Sequence, residues 1–336
     1  MLKNHFERLS AVPRHVLVAA ATLVALSAGI GIASPALANE PGGPFAAFNQ
    51  CPRFTPGVNF CIHVQTKSGG DKIGNGILAI VNPVTFQGGY ERNEEKEPVT
   101  ERFVGALNGE TLSKTPQPIP GGLVSLINCE EIKGSPRFLT RASRRECRET
   151  LENPSTAGVN ATTELAGPAG DIAISSDNNI NEEGIALSLP VKIHLENPLL
   201  GRDCYIGADW NPIILNLTTG KTSPPPPNAP IAGAIGDLGL FEFEGLDYAE
   251  TTNNTLVDNS FAVPAAHGCG GPFAFVIDPM VNIRLGLPSP AGNNTIIHSS
   301  TSMLATAENV IKSEKGEPNE EIPPGKRRHH HNPHRW

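Results

Sequence analysis

The residue type best placed to do chemistry in this 336-residue chain is cysteine. Cys51, Cys61, Cys129, Cys147, Cys204 and Cys269 show neither the CxxC spacing nor the neighbouring histidine pairs that tetrahedral zinc requires. An even count behind an export signal reads instead as three disulfides. We expect sequential pairing: Cys51 with Cys61, Cys129 with Cys147, and Cys204 with Cys269. His267 beside Cys269 invites a reactive-thiol reading, yet Gly268, Gly270 and Gly271 fit better with a turn that lets Cys269 approach a partner cysteine.

The remaining candidates are weaker. Glu242 and Glu244, at i and i+2, share a strand face as a glycosidase pair would, although the same spacing suits a solvated face. Tyr205 and Trp210 are candidate binding residues, since such rings stack on sugars or line partner pockets; packing over the neighbouring disulfide is the competing reading. His329, His330, His331 and His334 are weak candidates for a transition metal, opposed by the nearby cations Lys326, Arg327, Arg328 and Arg335. Those cations also suit anionic envelope polymers or lipid headgroups. The chain contains no G-x-S-x-G, no H-E-x-x-H and no phosphate-cradling loop. Accordingly no catalytic residue and no cofactor is assigned.

The elements that must position these residues are mostly strands. From Gly184 to Gly220, Leu187, Leu189, Val191, Ile193 and Leu195 alternate with Ser188, Pro190, Lys192, His194 and Glu196. That period of two marks a strand with one buried face. After a loop carrying Cys204 the alternation resumes at Ile213, Leu215 and Leu217, so the two strands are predicted to pair antiparallel. Pro190 cannot donate to a ladder, which predicts an edge strand or a bulge there. Further strands are predicted around Cys61 to Gln65, Ile77 to Val81, Phe103 to Leu107, Ala161 to Leu165, Leu238 to Phe243, Phe273 to Ile277 and Asn294 to His298. Gly69-Gly70 and Gly74-Asn75-Gly76 read as turns.

One clear helix is expected between Cys129 and Asn153, starting at Ser135-Pro136, with a thin apolar face that a Cys129–Cys147 bridge would compensate. Asp278 and Pro279 look like the start of a short second helix running to Leu285.

Residues 1–38 read as an export signal: Lys3, Arg8 and Arg14 precede an apolar run, and Ala36-Leu37-Ala38 offers small residues for cleavage. No later segment reaches the ~20 apolar residues of a membrane-spanning helix. Losing three cations and one anion with the signal takes the formal charge from −8 to −10. Such acidity disfavours nucleic acid as a partner. Aromatic residues make up only 5% of the chain, so a core built from Leu, Ile, Val and Ala is expected, and the girdles of a membrane β-barrel are lacking.

The segments TTELAGPAG, ALSLPVKIHLENPLLGRDCYIG, PIILNLTTGKTSPPPPNAPI, LVDNSFAVPAAHGCGG and GLPSPAGNNT carry a resemblance, spanning about Cys51 to Ala307, to exported actinobacterial proteins of unknown function. The resemblance implies a secreted, envelope-facing protein and supplies no activity, ligand or site residue.

The expected architecture is a mainly β domain, an antiparallel sandwich or distorted barrel, over residues 51–307. A disulfide-tethered α-helical insert occupies about 129–153. An extended lead-in covers 39–50, and a disordered basic, His-rich tail covers 308–336. The expected role is that of an exported, non-enzymatic protein, secreted or associated with the cell surface, that acts by binding envelope polymer or lipid or by structural association. An envelope-acting hydrolase with scattered residues and a carrier of a lipid or other apolar ligand are the alternatives. A large dry cavity would distinguish the carrier.

Overall fold

The computed structural model describes residues 40–131 and 137–316. The strands form two separate, mostly antiparallel sheets, not a closed barrel. Sheet 1 contains β1 (Phe60–Ile73), β2 (Gly76–Ala79), β3 (Val84–Asn93), β4 (Thr100–Gly105), β11 (Asp237–Phe243), β12 (Leu246–Asp258) and β14 (Thr295–Thr306). Its order is β11-β12-β14-β1-β3-β4, with β2 alongside the end of β1. Sheet 2 contains β5 (Gln117–Pro118), β6 (Asn160–Leu165), β7 (Ala173–Ile174), β8 (Leu187–Glu196), β9 (Tyr205–Ile206), β10 (Ile213–Leu217) and β13 (Ala266–His267). Among the described residues the α-helices are α1 (Leu123–Leu126), α2 (Arg137–Leu151), α3 (Ser176–Asn181), α4 (Ala274–Leu285) and α5 (Ala307–Lys315).

β8 is the hub of sheet 2. It pairs antiparallel with β10 as predicted, with Leu215 opposite Leu189 and Leu217 opposite Leu187, and also with β6, β7 and β9. All five of its alternating apolar residues are buried. Pro190 therefore sits in a central strand, not at an edge. Its carbonyl accepts from the Ala166 amide at 2.9 Å, which places its missing N–H on the side between the end of β6 and the short β7, away from β10.

All three disulfides follow the sequential pairing. The Cys129–Cys147 bridge ties α2 to the segment at Cys129–Glu131, and Glu130 accepts from Arg144. The proposed helix start at Ser135-Pro136 lies outside the described residues.

Several expectations need correction. The lead-in is not extended: Gly43–Phe48 form a 3-10 helix that buries Phe45 and Phe48. These rings join Cys51, Val58, Cys61, Leu246 and Val310 in a second core on the outer face of sheet 1. Residues 308–315 belong to α5, capped by the Thr306 hydroxyl accepting from the Asn309 amide, and Glu314 forms a buried ion pair with Arg53. Val310 gives this polar helix its one fully buried anchor. The tail histidines lie outside the described residues. Phe273 to Ile277 is helix, not strand, because a short apolar run fits either period. Pro279 falls inside α4 and Asp278 does not cap it; its carboxylate accepts instead from the Gly268 and Cys269 amides, at 3.1 and 2.7 Å. Gly69-Gly70 lies within β1, and the turn is at Gly74-Asn75.

Two expected outcomes follow from this packing. Replacing Cys204 and Cys269 together by Ser opens a loop of 65-residue separation and should lower the unfolding free energy by about 4 kcal/mol in urea titrations. His63, on β1, is held below its usual 6.5 by burial. The folded protein thus favours neutral imidazole while the unfolded chain binds the proton, so stability falls as pH drops through 6.5. Replacing His63 by Gln should flatten that part of the urea-midpoint profile relative to the unaltered protein.

Candidate functional site

The two sheets do not fill the space between them. Sheet 2 contributes a wall of bulky residues, Leu187, Leu189, Val191, Leu215 and Leu217. Facing it, β12 and β14 contribute the small side chains of Ala249, Thr251, Asn254 and Ser302, interspersed with Leu256, Met303 and Leu304. The result is a cavity of about 370 Å³ whose lining is mainly apolar. Well-packed interiors contain few voids larger than a water molecule, and ligand sites start near 300 Å³, so this volume is of the second kind.

The shape of sheet 1 depends on two bulges beside β14. Thr66 pairs with Ser300 and Ser68 with Ser299, so Lys67 is an extra residue on β1. Thr251 pairs with Ser302 and Asn254 with Ser300, so β12 also carries an insertion, with Asn253 at φ +58°. A bulge shifts alternation by one. On β1 the inward set therefore runs Ile62, Val64, Thr66 and then Asp71, with Lys72 exposed.

Asp71, only 6% exposed, lines the cavity with His298. Their side chains are hydrogen-bonded, His298 Nε2 to Asp71 Oδ1, at 2.7 Å. His298 lies opposite Gly69, which is at φ +145°. A Cβ on Gly69 would come within 2.2 Å of the Ile297 carbonyl and 3.2 Å of the His298 ring. The absent side chain is what admits the imidazole toward Asp71.

At the other end, Leu238 and Leu240 on the edge strand β11 line the cavity while 50% and 85% exposed, and Ile180 of α3 stands half exposed beside them in the lining. This is the mouth. α3 is held against sheet 1 by a polar clamp: Arg92 bonds Glu101 at 2.7 Å and both carboxylate oxygens of Asp177 at 3.0 and 3.1 Å. Glu101 also accepts from the Ser176 amide at 2.7 Å. Burial, then the Glu101 charge, pushes the phenol of neighbouring Tyr90 well above its usual range. It stays a neutral donor.

The sequence-predicted binding residues lie elsewhere. Tyr205 stacks on His194 at 4.5 Å on the outer side of sheet 2, under the Lys192 ammonium. Trp210 is 82% exposed and does not cover the Cys204–Cys269 disulfide; its nearest ring is His267 at 6.4 Å. His194 is not simply exposed, since it also hydrogen-bonds the Arg202 carbonyl at 3.0 Å. Glu242 and Glu244 do not share a face, because Glu244 occupies the β11–β12 turn at φ +52°. Among the described residues no group of three or more His, Cys, Asp or Glu is placed to hold a metal, and no helix is long and apolar enough to cross a membrane.

Sequence reasoning missed Asp71, His298 and the mouth. The available signal was the run of small residues in HSSTSM of β14 and in the inward positions of β12, where a filled sandwich needs bulk. No protein-family model matches the chain, and neither does a curated protein or a solved structure.

The clamp yields an expected outcome. Replacing Arg92 by Ala leaves Glu101 buried without its cation, which should cost about 3 kcal/mol of stability. Amide hydrogen exchange should quicken across the α3 helix, Ser176–Asn181, before it does in either sheet.

Proposed function

We propose that the protein is an exported, non-enzymatic carrier that holds a lipid or similar long apolar ligand between its two sheets. The observation behind this reading is the cavity of about 370 Å³, walled by aliphatic side chains and open beside the exposed Leu238 and Leu240. If such a space were closed and empty, it would cost on the order of 9 kcal/mol by the scaling for engineered cavities, which rivals the net stability of a whole domain. An apolar ligand removes that cost by restoring the missing contacts. Measured on β14, the lining from Leu304 to His298 spans seven residues, or about 20 Å of strand. That length suits a single long alkyl chain better than a compact solute. Action outside the cytoplasm is supported by the three disulfides, by the N-terminal signal pattern and by the resemblance to exported actinobacterial proteins. The envelope is where such a protein would meet lipid.

The hydrolase alternative has less behind it. His298 and Asp71 resemble two members of a triad, yet among the described residues no hydroxyl is hydrogen-bonded to the imidazole.

The test is displacement of an environment-sensitive alkyl fluorophore from the mature protein. Replacing Val64 by Trp puts an indole into the cavity; it should abolish fluorophore binding while leaving the melting temperature unchanged or higher. If the variant is folded and the fluorophore still binds with unaltered affinity, the cavity is not the site.

A further inference from the structure

We propose that Asp71 and His298 are the headgroup site of this cavity, and that the ligand is a long-chain amphiphile ending in a neutral hydroxyl. The inference rests on the carrier reading and narrows its ligand class. Among the lining residues these two are the only ones able to carry a full charge near neutral pH; the rest are aliphatic, aromatic, hydroxyl or amide side chains. A charged or hydrogen-bonding pair in such surroundings is costly unless its remaining donors and acceptors find partners. Here they find none in the protein. The single bond between His298 Nε2 and Asp71 Oδ1 leaves Asp71 Oδ2 and His298 Nδ1 without a protein partner among the described residues, and neither is a fully buried atom, so both open onto the cavity where a ligand group can reach them.

The chemistry of those two atoms selects the ligand group. Asp71 Oδ2 is an acceptor when the carboxylate is ionised. His298 Nδ1 is an acceptor on a neutral ring and a donor on an imidazolium. A hydroxyl serves both cases, donating to Asp71 and, when required, accepting from His298. An ammonium can donate to an ionised Asp71, but beside an imidazolium it cannot accept from Nδ1 and adds an uncompensated charge to an apolar space, so it serves only one of the two cases. A carboxylate or phosphate meets the Asp71 charge directly. An alkane leaves both atoms unpaired.

The position of the pair agrees with this assignment. It lies at the far end of the cavity from the mouth, about 20 Å from the level of Leu240 along the strands. The bulge at Lys67 and the bare Gly69 are what bring the two side chains together there. A ligand would thus enter with its hydroxyl leading, its chain lying along the aliphatic walls to Leu238 and Leu240.

The experiment compares 1-hexadecanol, hexadecane, hexadecanoate and hexadecylamine as competitors of the alkyl fluorophore at neutral pH, using the full mature chain. Hexadecanol should displace it at about tenfold lower concentration than the other three, as hydrogen bonds to charged groups imply. Replacing Asp71 by Asn should reduce the alcohol's advantage over hexadecanoate to about twofold while leaving hexadecane unchanged. The comparison on the unaltered protein needs no variant, so a misfolded Asp71 substitution does not spoil it. Equal displacement by alcohol and alkane, or stronger displacement by the acid or the amine, overturns the headgroup assignment and leaves the carrier reading standing. If the fluorophore itself fails to bind, the carrier reading falls, and this inference with it.

Discussion

The burial of one strand face organises this molecule. β8 presents five aliphatic side chains on a single side and is hydrogen-bonded to four other strands of its sheet, so the whole of sheet 2 is committed to covering that face. A second sheet is the cheapest cover, because its backbone groups are already paired within its own ladder. Sheet 1 supplies the cover at its two flanks, through Phe86, Tyr90 and Phe103 on one side and Ile73, Leu78 and Ile296 on the other. Between them the small side chains of Ala249, Thr251, Asn254 and Ser302 are interspersed with Ile62, Val64, Leu256 and Leu304. The sheets are thus held apart by large residues around a region where small ones leave room. A cavity in such a place is a product of composition along two strands, not of a packing accident at one residue.

The covalent cross-links sit around this arrangement, not within it. Cys51–Cys61 fastens the N-terminal turn to the outer face of sheet 1, and Cys129–Cys147 holds a helix whose exposed, charged surface could not hold itself. Cys204–Cys269 joins the loop after β8 to the turn before α4. Only the second of these secures an element with few apolar contacts of its own; the other two tie together segments that also reach a core through Phe45 and Phe48 and through Leu200, Val281 and Leu285. The space between the sheets is left to non-covalent forces, as it must be if a ligand is to exchange.

Much of the fold was legible. The β8–β10 hairpin could be read because each strand has one buried face and an uninterrupted period, and two of the disulfides because cysteines 10 and 18 residues apart favour neighbouring pairs, the third joining the remaining two, 65 apart. What was not legible has a common physical cause. Asp71 lies after the inserted Lys67, where the period of two changes phase, and Gly69-Gly70 imitates a turn though it continues the strand. Its partner His298 is 227 residues away. Phe273 to Ile277 fits either period, and the polar α5 shows its anchor only when the second core on sheet 1 is seen. The aromatic pair chosen for its chemistry, Tyr205 and Trp210, proved to lie on the outer side of sheet 2, since residue type says nothing of which face a loop will occupy.

The inserted Lys67 has a consequence for how this sequence can vary. Because it divides β1 into two segments of opposite phase, the first half can drift in composition under the demands of one wall while the second answers to another. Were Lys67 taken into a regular ladder instead of the bulge, everything downstream to the turn would rotate by one face, sending Asp71 to solvent and bringing Gly70 and Lys72 inward, whereas deleting it would leave Ser68 opposite Ser299 and Asp71 opposite Ile296 on the inner face. The polarity of this cavity is written in strand phase as much as in side-chain identity.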